Sequence, residues 1–244
     1  MKNSFCGVMI LISTFSCNQV STFETVECIE NGNSYMVFKP CRQYIFNAKL
    51  WDAEHNQVSE SKIWMMANGN PWEYQPESQQ EITIQYEFDE EDVDRINNLS
   101  INKKLLDWTW VKKTTTGIIE NENIIWMHPF RQNQYSFTEV APFPEVRLPL
   151  EHGKTWSGSL NIYEGWGDWA NSTLTNYYEV IGYENLELPY RKLEAWHISS
   201  YTEASFGSSS HNFWFHPEFG FVKMIIHNYG NQTLEIELIE IIEN

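Results

Sequence analysis

The stretch Glu81-Ile82-Thr83-Ile84-Gln85-Tyr86-Glu87-Phe88 alternates without a break between polar and apolar side chains. A period of two places Ile82, Ile84, Tyr86 and Phe88 on one face of a strand and Glu81, Thr83, Gln85 and Glu87 on the other, so one face is buried and the other is wet. Leu234, Ile236 and Leu238 repeat the pattern against Glu235 and Glu237. The phase slips at Leu238-Ile239, where a bulge or the end of the strand is expected.

Working outward, further strands are predicted at Tyr44 to Trp51, Lys62 to Met66, Trp108 to Thr114, Ile124 to His128, Ser157 to Tyr163, Leu174 to Ile181, Leu193 to Tyr201, Asn212 to His216 and Phe221 to His227. Turn formers separate several of them: Asn68-Gly69, Gly165 to Asp168, Gly207 to Ser210 and Asn228 to Asn231. One stretch, Glu90 to Leu106, carries acidic residues early, lysines late and Val93, Ile96 and Leu99 at helical spacing, although three asparagines weaken it. Strands in succession, with no alternation of strand and helix, exclude a parallel α/β sheet. The expected fold is all-β with at most one or two short helices, either a strongly curved antiparallel sheet or an open β-barrel or sandwich. Side-by-side bulky pairs, Tyr177-Tyr178 and Trp214-Phe215, call for a sheet covered on both sides or curled around a lumen. No fixed-period repeat is visible, which argues against propellers and solenoids.

The chain of 244 residues carries a formal charge of −17, with 20% charged residues and 15% aromatic, including 11 Trp and 12 Tyr. Ample apolar surface for a core excludes disorder. The acidic balance argues against nucleic acid and against electrostatic docking on anionic lipid.

Residues 1–19 read MKNSFCGVMILISTFSCNQ. A lone Lys2, an apolar run from Phe5 to Phe15 and a small residue, Ser16, directly before Cys17 make a lipoprotein-type signal, too short to span a bilayer as a mature helix. Thr14 and Phe15 fit the lipobox loosely, and the alternative is an ordinary secretory signal. Either way the chain is exported. Cys17 is the expected lipid-attachment residue, membrane contact through that lipid is the expected partnership, and Asn18 rather than Asp behind it tilts the address towards the outer membrane of the cell envelope. The organisation expected is a signal peptide at 1–16, a tether at 17–24, an amino-terminal β region at 25–140, a Pro-rich connector at 141–150 and a carboxy-terminal β region at 151–244, with the two β regions separate or continuous. Cys28 and Cys41 then remain as a pair in the mature domain. A disulfide across a hairpin turning at Asn31-Gly32 would contribute about 3 kcal/mol by loop closure; two reduced, buried thiols are the alternative.

Three segments carry a resemblance: TGIIENENIIWMHPFR at 116–131, FPEVRLPLEHGKTWSG at 143–158 and FWFHPEFGFVKM at 213–224. Together they resemble an uncharacterised family of exported lipoproteins common in Bacteroidota, and the last also resembles a wider group of bacterial export proteins with curved antiparallel sheets. The resemblance implies fold and address. It supplies no activity to carry over.

Polar clusters are sparse. Glu120, Glu122, His128 and Arg131 combine carboxylates with an imidazole, yet Glu120 to Asn123 reads more simply as a solvated turn. His211 and His216, with Glu218 nearby, are residue types that ligate zinc, but five residues apart on a strand they face opposite ways, and no HExxH occurs. No metal or cofactor is expected. Trp166, Asp168 and Trp169 in the loop GWGDWAN could stack on sugars or close the end of a barrel. Phosphate-loop, dinucleotide and serine-hydrolase signatures are absent. The leading expectation is a membrane-anchored, non-enzymatic β domain binding an apolar ligand or a partner protein in the concavity of its sheet. Its candidate contacts are Trp126, His128, Arg131, Trp166, Asp168, Trp169, His211 and Trp214. A glycan-binding module is the alternative, and a hydrolase or metal enzyme is third.

Overall fold

The computed structural model describes residues 36–88, 90–98 and 110–243. Its strands are β1 (Gln43–Trp51), β2 (Gln57–Pro71), β3 (Gln80–Tyr86), β4 (Lys113–Glu120), β5 (Ile124–Met127), β6 (Glu145–Arg147), β7 (Thr155–Asn161), β8 (Thr173–Glu187), β9 (Lys192–Ala204), β10 (Gly207–His216), β11 (Gly220–His227) and β12 (Thr233–Ile242). Among the described residues the only α-helix is α1 (Glu90–Asn97), between β3 and β4. All twelve strands form one antiparallel sheet in the order β6-β5-β4-β3-β2-β1-β12-β11-β10-β9-β8-β7. The chain is therefore two six-stranded meanders, β1–β6 and β7–β12, joined where β1 pairs with β12. Only the pairing of β6 with β7 is missing from a closed up-and-down barrel.

The expected all-β architecture is borne out, and so is the slip at Ile239. Ile45 pairs with Glu240 but Phe46 with Leu238, so Ile239 is the extra residue of a bulge that lets β12 run on to Ile242. A second bulge, between Val180 and Gly182, lets β8 continue past the expected end at Ile181.

Several predicted boundaries move. Asn68-Gly69, expected as a turn, lies within β2, and Gly207 to Ser210, also expected as a turn, lies within β10, paired with Ala204 to Tyr201 of β9. The described helix ends at Asn97, and the rest of the predicted span from residue 99 lies outside the described residues. The strand expected from Trp108 to Thr114 begins at Lys113, residues 108 and 109 lying outside the description. Its delay has a local cause: the Asn133 side chain accepts from the Val111 N–H at 2.8 Å and donates to its carbonyl at 2.9 Å. That backbone is thereby removed from the ladder with β3.

The segment between β5 and β6 does not make a hairpin. Residues 133–146 are all buried, and Asn133–Val140 is a 3-10 segment lying within the sheet's curl. It contacts both halves. Tyr135 shares a hydrogen bond with Ser61 of β2 at 2.7 Å and packs its ring on Tyr86 of β3 at 5.9 Å. On the opposite wall, His211 Nδ1 of β10 lies 2.8 Å from the Pro142 carbonyl, and the Tyr178 hydroxyl of β8 donates to the Phe143 carbonyl at 3.1 Å. This segment is a plug. Tyr135, Phe137, Val140 and Ala141, each fully buried, supply the apolar centre that the inward faces of both meanders pack against. The concavity expected to receive a ligand is filled by the protein's own chain.

Side chains bridge the seam where strand pairing stops. Leu148 donates its N–H to Asn123, so by the alternation of an antiparallel ladder the backbone groups of Glu145 and Arg147 face away from β5. The Lys154 ammonium answers with hydrogen bonds of 2.7 Å to the carbonyls of both Arg147 and Pro149. Two glycines matter for packing. A Cβ on Gly117 would lie 2.6 Å from the Trp72 ring, and one on Gly220, at φ 74°, would lie 2.5 Å from Val37.

Candidate functional site

At one end of the barrel the β4–β5, β6–β7 and β10–β11 connections surround an open groove of about 710 Å³. Ile125, Leu148, Leu150, Trp196, Phe215 and Pro217 give it an apolar floor and walls. Glu120, Asn121, Glu122 and the 63% exposed Met36 form its lip. Antiparallel pairing explains the aromatic wall: Tyr183, Trp196 and Phe215 are cross-strand neighbours on β8, β9 and β10, so their side chains share a face. The Tyr183 and Trp196 rings meet at 5.2 Å.

The lip is built by a clamp. Glu120 Oε1 accepts the backbone N–H groups of Met36 and Val37 at 2.8 and 2.9 Å, and Oε2 accepts that of Phe38 at 2.8 Å. The buried Arg42 guanidinium holds the same segment from its carbonyl side, donating to Val37 at 3.2 Å and Met36 at 3.3 Å. It also donates to the Glu218 carbonyl at 2.6 Å and pairs with Glu243. Tyr44 donates its hydroxyl to the Val37 carbonyl. Charge-assisted bonds of this kind are about twice as strong as neutral ones. Glu120, read from the sequence as part of a solvated turn, thus has a defined task. The turn itself is an Asx turn in which Asn121 Oδ1 accepts the N–H groups of Asn123 and Ile124.

The residues singled out from the sequence do not converge on this groove. His128 lies among the rings of Trp72, Trp126 and Phe143, at 5.6, 4.6 and 5.5 Å. Burial, with Arg131 adding to it, pushes its pKa down to about 3, so it is neutral. Arg131 forms a two-bond ion pair with Glu139, whose carboxyl burial raises while Arg131 opposes. His211 is wholly buried and pushed down to about 4 by burial; facing a carbonyl, its Nδ1 carries the proton. Both histidines are structural contacts of the plug.

Trp169 is 1% exposed and donates its indole N–H to the Tyr229 hydroxyl at 2.8 Å, while Trp166 stacks on it at 6.2 Å and packs against the core. Asp168 between them is exposed. These indoles pack where the β7–β8 and β11–β12 connections meet at an end of the barrel, and the buried Trp169 offers no open face to a sugar. Trp214 lies on the outer face, stacked on His197 at 4.5 Å and donating to Glu184 at 2.9 Å. That donor, with His197, holds the Glu184 carboxyl below the usual range. His216 accepts the Glu218 N–H at 3.1 Å, capping the β10–β11 turn. Among the described residues no group of three or more His, Cys, Asp or Glu could hold a metal ion.

Cys17 and Cys28 lie outside the described residues, with the whole signal and tether. Cys41 is disulfide-bonded. It is the one cysteine among the described residues. Sequence reading missed the residues that form the groove, because Met36, Leu148, Leu150, Trp196 and Phe215 look like any other apolar positions until distant strands bring them together.

Fold and site define an all-β protein: a nearly closed twelve-stranded antiparallel barrel with an internal plug and an apolar groove at one end. No family model matches the chain, and no curated protein does. Solved structures are similar to it. One is a Bacteroides fragilis protein described as exported and of YmcC-like fold, at 11% identity over 83% of this chain and 95% of that one, TM-score 0.46. Another is a Parabacteroides distasonis protein described as a lipoprotein, at 12% identity over 82% and 94%, TM-score 0.42. A third is the hypothetical lipoprotein YmcC of Escherichia coli, at 10% identity over 85% and 90%, TM-score 0.35.

Proposed function

We propose that this chain is an exported cell-envelope protein, tethered through lipid on Cys17 to the outer membrane, that acts by binding rather than catalysis, with the end groove as its binding site. The observation that carries the reading is the groove itself, an apolar hollow of about 710 Å³ beside a barrel interior that is already filled. Small-molecule sites are commonly concave, mostly apolar and of this size. Among the described residues no acid–base pair or nucleophile converges there: Glu120 is engaged by three backbone N–H groups, and His128 and His211 are buried elsewhere against the plug. The outward faces of β9, β11 and β12 carry Glu203, Lys223, Glu235 and Glu237, a charge load unsuited to hydrocarbon. The barrel therefore stands in water beside the membrane. Cys28 is the partner proposed for Cys41.

Titration with the neutral dye N-phenyl-1-naphthylamine tests the site. Saturable binding is expected in the parent chain, and a loss of tenfold or more in Met36→Glu, at a side chain 63% exposed on the lip, and in Leu150→Asp, at a half-buried residue of the wall. Binding that both substitutions leave unchanged would overturn the assignment. Mass spectrometry of the membrane-extracted protein tests the tether: an unmodified Cys17 thiol would remove it.

A further inference from the structure

We propose that the groove takes the alkyl or acyl tail of an amphiphile whose headgroup is uncharged or cationic; this rests on the binding role proposed for the groove. Two observations converge. The first is polarity: the floor is aliphatic and aromatic, whereas the lip ends in backbone turns and carboxylates, so a ligand seated there is apolar at one end and polar at the other.

The second is charge. Glu122 is exposed on the lip, and Glu120 lies beside it. No cation is among the described residues that line the groove: Arg42 is paired with Glu243 and held by three carbonyls, the Lys154 ammonium is turned to the carbonyls of Arg147 and Pro149, and Lys39 is exposed outside the lining. On a chain with net charge −17 an anionic headgroup meets repulsion at this lip, while a neutral or cationic one does not.

Isothermal titration of the purified chain with dodecyl- and tetradecyl-trimethylammonium, the matching monoacylglycerols and the matching fatty acids, each below its micelle concentration, tests the proposal. Cationic and neutral amphiphiles are expected to bind, each added pair of methylenes tightening binding about tenfold. Fatty acids of the same length are expected to bind at least tenfold more weakly, and Glu122→Lys is expected to close or reverse that gap. Equal binding of fatty acids, or no dependence on tail length, would overturn the proposal. If the naphthylamine dye binds in a Met36-dependent way and no alkyl amphiphile does, the proposal fails and the groove remains a binding site. If neither binds, both fail.

Discussion

The two meanders are built alike in topology and differently in what they face. From β8 to β12 the outer face is wet: Tyr177, Glu179, Tyr201 and Glu203 are exposed opposite buried Tyr178, Val180, Ser200 and Thr202. In the amino-terminal half, β2 is buried without interruption from Ile63 to Gly69, and the chain between β5 and β6 is turned inward as a plug. A strand wet on one face writes its structure into sequence as alternation, whereas a strand or segment buried all round does not. Much of the carboxy-terminal half is therefore legible from its alternation, as β3 is in the other half. The amino-terminal half depends on contacts between distant parts of the chain.

Truncating the plug gives the largest expected contrast. Phe137→Ala removes a fully buried ring and should cost about 3–5 kcal/mol in urea unfolding. If it costs no more than an outer-face change, the plug is an accessory and the two halves are stabilised alike.

Acid should separate the halves next. His211, at about 4 when folded, and His128, at about 3, take up protons more readily when unfolded, near pH 6.5. Stability present above pH 6.5 is lost as the pH falls from there towards 4 and then 3, at up to about 1.4 kcal/mol per pH unit for each histidine. Glu139 acts with the opposite sign, since its raised pKa makes the folded state the better proton acceptor. His211→Phe should flatten the upper part of the pH profile, and Glu139→Gln should steepen the lower part. An unchanged profile in His211→Phe would mean that the contact to Pro142 is not what acid breaks.

A smaller effect is expected at the lip. Glu120→Ala removes three charge-assisted hydrogen bonds from Met36 to Phe38 but leaves partly solvated N–H groups, so about 1.5–3 kcal/mol is expected. Faster amide exchange confined to residues 36–38 would mark the clamp, and exchange spread through the barrel would not. Smallest of all is Tyr201→Ser on the outer face of β9, where the lost stacking on Tyr177 at 5.0 Å should cost less than about 1 kcal/mol. A cost matching that of Phe137→Ala would erase the distinction between the two halves.

How much was legible follows the same line. Glu81 to Phe88 and Leu234 to Leu238 are legible as strands from their period, and even the slip at Leu238-Ile239 is legible, because one apolar residue out of phase must be looped out or turned outward. The plug was not. HPFRQNQYSFTEVAPFP, at 128–144, mixes Asn133, Gln134, Ser136 and Glu139 with aromatics in no period, and polar residues of this kind read as a surface loop. They are buried because each of two key groups finds a partner that sequence cannot display: Val111 for Asn133, and Arg131 for Glu139.

The sequence by itself determined the all-β class, the strand faces of the carboxy-terminal half and the acidic charge, since these rest on local period and composition. Only the tertiary structure decided that the barrel's interior is filled by its own chain and that the hollow lies at one end. The physical reason is closure: joining β1 to β12 places β6 beside β7, folds the segment between β5 and β6 inward, and brings Met36, Leu148, Trp196 and Phe215 together from four separate parts of the chain.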